Sequence, residues 1–147
     1  MNTSNFDAFN RITLHLLVKL FEVFPGHLDV DSNALGLDAK PKDTNETEDE
    51  LWESMILAGN TVTWLKSEGF IEVGSVSYGG HYSQVRLTLK GLTLLGYAPP
   101  TMENDSKYQN LVEKAQSVLA DGARGAVTEV VKELFVGGLR YLPQVFT

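Results

Sequence analysis

The sequence predicts a mainly helical α+β fold, on three observations. Apolar residues recur at three- and four-residue spacing over Phe6–Phe24, Thr47–Glu68 and Ala123–Leu142, the period of helices buried along one side. After the second of these, two runs rich in β-branched and aromatic residues flank Tyr78-Gly79-Gly80-His81, the composition of a hairpin turn. With 147 residues, 43% of them apolar and 21% charged, the chain is long enough for one cored domain with a short appendage and too apolar for disorder.

The first helix is expected over Phe6–Phe24. Phe9, Ile12, Leu16, Leu17, Leu20 and Phe24 form its stripe, Ser4 or Asn5 supplies the cap, and Pro25-Gly26 stops it. Leu28–Val30 reads as a brief strand and Ser32–Leu37 as one helical turn. Asp38–Glu46, with Pro41, Asp43, Thr44 and Asn45, reads as a solvated loop.

Thr47 and Glu50 have capping-box spacing at the start of a long helix, and Glu48, Asp49 and Glu50 suit the positive end of its dipole. Leu51, Met55, Ala58, Val62 and Leu65 make its main stripe, flanked by Trp52 and Ile56. Gly59-Asn60 leaves open whether this is one helix or two, and Trp64 falls off the stripe, as a rim contact of the core or an interface residue.

Glu68-Gly69 ends the helix, and strands are expected over Phe70–Ser77 and Tyr82–Leu89. Alternation in the second places Val85, Leu87 and Leu89 on one face and Gln84, Arg86 and Thr88 on the other. Thr88 can cap a short helix that returns Leu92, Leu95 and Leu94 to the core before Gly96 and Pro99-Pro100.

Further on, a helix capped by Asp105 or Ser106 runs to Ala120 with Leu111, Ala115, Val118 and Leu119 on one side. Gly122 interrupts, and Ala123–Leu142 follows with a wide apolar face. A face of that width needs a covering surface: its own domain or a second subunit ahead of a membrane surface, and five charges argue against spanning.

WLKSEGFI, then a glycine hairpin, then LTLKG resembles the winged-helix superfamily of bacterial transcriptional regulators over roughly Phe6–Tyr97. The resemblance implies a three-helix core plus a β-hairpin wing over 1–98, with 99–147 as a helical extension for packing or dimerisation. It also implies a DNA-binding protein, its third helix in the major groove and its wing on the backbone or minor groove, and the apolar face of the last helix makes a dimer the expected state. The candidate DNA-contacting residues are Asn60, Thr61, Thr63, Lys66 and Ser67 on the helix, with Tyr78, His81, Tyr82 and Arg86 on the wing. Asn and Thr can read base edges; Lys and Arg can pair with phosphates. The alternative is a winged helix that binds protein and no DNA. Its candidate interface is Trp64, the wing and the last helix, with Val127, Val130, Val131, Leu134, Phe135 and Leu139.

Charge bears on that choice. Asp29–Glu53 holds nine acids and two lysines, so the whole formal charge of −7 lies there; the remainder balances ten acids with ten bases. No basic excess of the kind that carries phosphate binding is present.

Catalytic and metal chemistry are not expected. His15, His27 and His81 are scattered, without metal-ligand spacing, and no nucleophile or phosphate-loop motif occurs. DVDSNALGLDAK resembles a calcium loop at Asp29, Asp31 and Asn33, but Ala34 and Lys40 stand where glycine and a bidentate glutamate belong. No cofactor is expected. The absence of cysteine excludes disulfides and makes a reducing cytoplasm the expected compartment. MNTSNFDAFN lacks the basic start of a signal peptide, and no apolar run has membrane-spanning length.

Overall fold

The computed structural model describes residues 4–39, 48–98, 103–104, 111–121 and 124–139. The expected caps at Thr47, Asp105 and Ser106, the Pro99-Pro100 stop and most of the Asp38–Glu46 loop lie outside them. In chain order the elements are α1 (Ser4–Val23), β1 (Leu28–Asp31), α2 (Ser32–Ala39), α3 (Glu48–Ser67), β2 (Ile71–Glu72), β3 (Ser75–Ser77), β4 (His81–Leu87), α4 (Leu89–Leu94), β5 (Tyr97–Ala98), β6 (Glu103–Asn104), α5 (Leu111–Asp121) and α6 (Arg124–Leu139). The fold is mainly helical, with a small antiparallel sheet of order β1-β4-β2, in which β3 also pairs with β4.

The central element is α1. The spacing predicted Phe9, Ile12, Leu16, Leu17, Leu20 and Phe24 as its inner face; the middle four are buried, Phe9 is half-buried, and Phe24 lies past the helix end and is exposed. Leu14 and Val18 are buried too, because α1 packs against α2 and α3 and also against α5 and α6. One apolar cluster therefore runs from α1 through the sheet to Val112, Ala115, Val127, Val130, Val131 and Leu134 of the last two helices.

The second helix is a full two turns, longer than the single turn expected. Asp31 Oδ1 accepts the N–H of Asn33 at 2.9 Å, so this carboxylate caps α2. Where α2 crosses α3, Gly36 approaches the backbone of Ser54; a Cβ there would lie 2.9 Å from Ser54 O.

The third helix is continuous through Gly59-Asn60. Packing outweighs the glycine's weak propensity: Ala58 and Val62 are fully buried, and the Tyr82 hydroxyl donates to Gly59 O at 3.3 Å. It ends where expected. Gly69 takes φ +83°, Gly69 N–H bonds Lys66 O and Phe70 N–H bonds Leu65 O, a Schellman arrangement whose apolar pair, Leu65 and Phe70, is buried.

The hairpin differs from strict alternation. Leu28 pairs with Val85 and Val30 with Tyr82, so Ser83 and Gln84 together face the single residue Asp29. This is a β-bulge. Gln84 takes φ +55°, and its N–H donates to Asp29 Oδ1 at 3.1 Å. The extra residue turns Tyr82 onto the same face as Val85 and Leu87, and all three are buried. The strand stops at Leu87, and Leu89 opens α4 instead of continuing the strand. Thr88 is the α4 cap, as expected: its hydroxyl accepts from Gly91 N–H at 3.0 Å.

Candidate interaction surface on the third helix and hairpin

The outer flank of α3 and the hairpin meet at a corner built by Gly69, Phe70 and Thr88. Thr88 N–H donates to Phe70 O, and its hydroxyl donates to Gly69 O. Gly91 lies against Phe70 O, where a Cβ would collide. The corner fixes the end of α3 relative to β2 and β4.

Of the nine residues predicted for DNA contact, Asn60, Thr63, Lys66, Ser67, Tyr78, His81 and Arg86 are exposed. The other two are corrections. Thr61 is buried with its hydroxyl donated to Leu57 O at 2.8 Å, because it faces inward beside Val62 and Leu65. Tyr82 is only 8% exposed, since the bulge turns it inward onto Gly59.

The exposed cations are unequal. Arg86 is held by Glu72 at 2.6 Å. Lys90 donates to Glu68 O at 2.6 Å with its ammonium 4.7 Å from the Phe70 ring centroid. Lys66 makes no ion pair among the described residues. Glu48, Asp49, Glu50 and Glu53 at the other end of α3 are all exposed. A cleft of about 670 Å³ lies between the end of α3 and the hairpin, with His27, Lys66, Glu72, Gln84 and Arg86 on its walls. Sequence reading left His27 unplaced, because nothing local ties the turn after α1 to β4.

The residues predicted for a protein interface divide. Val127, Val130, Val131 and Leu134 are buried inside the chain's own core, and Phe135 is half-buried; the side chain of Leu139 lies outside the described residues. The apolar face of α6 is thus covered by α1, α4 and α5. Trp64 is 41% exposed at the edge of an aromatic cluster, 5.3 Å from Phe9, 6.1 Å from Phe70 and 6.4 Å from Phe135 between ring centroids. It is both a rim contact and a surface residue.

Exposed apolar side chains that sequence reading did not assign to a site extend this surface. Trp52 is 64% exposed and Ile56 follows one turn later, with Phe6 of α1 61% exposed. Phe6, Phe9, Leu57, Asn60, Thr61 and Trp64 line a groove of about 420 Å³ between α1 and α3. Their signal was present in part, since Trp52 and Ile56 flank the buried stripe rather than lying on it.

Among the described residues no cluster of three or more His, Asp or Glu is placed to hold a metal ion, and no helix is long and apolar enough to cross a membrane. Comparison of the chain with protein families, characterised proteins and solved structures finds no match in any of the three.

Proposed function

We propose that the chain is a winged-helix module that binds another protein through the exposed flank of α3 and the adjoining end of α1. The element order α1-β1-α2-α3-hairpin, with β1 paired to the second hairpin strand, supports the winged-helix reading. One observation carries the choice of partner: α3 exposes Trp52, Ile56 and Trp64, and Trp64 shares a groove with the exposed Phe6, while the cations of α3 are few. Large aromatic groups left in water are typical of protein-binding surfaces.

Duplex DNA is the second reading, favoured by the polar flank Asn60, Thr63, Lys66 and Ser67 beside the cleft holding His27 and Arg86. Electrostatics weighs against it. Each neutralised phosphate contributes a salt slope of about −0.9, and useful affinity at physiological salt takes several such contacts. Among the described residues Lys66 is the cation of this face that makes no ion pair, and Arg86 must first leave Glu72.

The two readings separate in a titration of labelled random-sequence duplex at low salt. The expected result is no saturable binding by the full chain, and none gained or lost with Lys66→Glu. Binding that weakens steeply with salt and disappears in Lys66→Glu would establish the DNA reading instead.

A further inference from the structure

The groove between α1 and α3 is mostly apolar. Phe9, Leu57 and Trp64 supply apolar surface, Thr61 has its hydroxyl donated to Leu57 O, and Asn60 adds one exposed carboxamide. Among the described residues no basic side chain lines it. The turns of α3 that lead into it are acidic. Glu53 stands one helical turn before Leu57 on the same side of α3, and Asp49 and Glu50 stand one turn before Glu53, all exposed. An occupant must match both features, apolar contact along the floor and positive charge at the acidic end.

We infer that this groove receives a cationic amphipathic segment of a partner protein. Its apolar side chains seat between Phe6, Phe9, Leu57 and Trp64, and its basic end lies over Glu53 and the acidic start of α3. The inference deepens the protein-binding reading and rests on it. A second copy of the chain fits less well, because its described surface cations are largely engaged: Lys19 with Asp38, Arg86 with Glu72, Lys114 with Glu133 and Lys132 with Glu129. A cationic segment gains from these acidic turns what a neutral one does not.

The test uses the full chain and two labelled amphipathic peptides, one of leucine and lysine and its leucine–glutamate counterpart, followed by fluorescence anisotropy. The lysine peptide is expected to bind roughly tenfold or more tightly than the glutamate peptide, and Phe6→Ser to weaken it by a similar factor. Phe6 is 61% exposed, so this variant should keep its fold, which a thermal melt checks. Glu53→Lys should shift the preference toward the glutamate peptide. Equal binding of the two peptides, no binding of either, or indifference to Glu53→Lys overturns the assignment. So does a dimer in sedimentation that Phe6→Ser dissolves, since a second copy would then fill the groove. If duplex DNA binds through Lys66, the protein-binding reading falls whatever the peptides do. Failure of the peptides with no DNA binding removes the groove assignment alone.

Discussion

Thr13 sits fully buried on α1, and its hydroxyl finds no hydrogen-bond partner among the described residues. An unpaired buried hydroxyl costs roughly 1–3 kcal/mol of desolvation, and valine has nearly its shape without the polar group. Thr13→Val should therefore stabilise the protein, by about 1 kcal/mol in urea denaturation; a lower midpoint would show that the hydroxyl is satisfied in solution. The case of Tyr82 shows where residue-level reading fails. Period-two alternation sets it beside Gln84 on the outer face, but one inserted residue reverses its side. The bulge depends on Asp29, 55 residues earlier, meeting the Gln84 amide. No local pattern around Tyr82 contains that information. Thr61 was misplaced for a related reason: it lies next to the predicted stripe, which is broader here than its apolar members suggest.

At the scale of elements, punctuation was legible and continuity was not. Gly69 ends α3 and Thr88 starts α4 because φ above zero and a hydroxyl cap are requirements of the chain's own geometry. Thr88 also joins the two ends of the corner by bonding Gly69 O. Thr88→Ala should thus cost about 1–2 kcal/mol, at the upper end for a cap. Thermal or urea unfolding measures this, and a loss below a few tenths would mean that the corner is held by packing alone. Gly59-Asn60 is the opposite case. Its local propensity permits a break, and the decision comes from α2, β4 and the Tyr82 hydroxyl, all remote in sequence. The candidate surface was legible where side chains on the outer flank of α3 are polar. Among the exposed apolar side chains Trp64 was singled out, whereas Phe6, Trp52 and Ile56 were not, because composition alone assigns such residues to a core.

For the molecule as a whole, the last two helices share one apolar cluster with the elements before them. They complete the burial of α1, and Leu134 of α6 is as fully enclosed as Leu16 or Leu20. Leu134→Ala should therefore cost about 2–5 kcal/mol and lower a single cooperative urea transition. A separate early transition that leaves the rest of the unfolding curve unchanged would mean that the first 98 residues stand alone. The sequence correctly showed that the α6 face needs a cover, but could not show which surface provides it.

One feature of the sheet bears on both candidate surfaces. Each of its other three strands pairs with β4, and among the described residues none pairs with another of the three. Strand β4 is thus the spindle of the sheet, and anything that withdraws it releases β1, β2 and β3 together. The same strand carries Tyr82 to the middle of α3, so a tug on the glycine tip is felt halfway along the helix that presents Trp64.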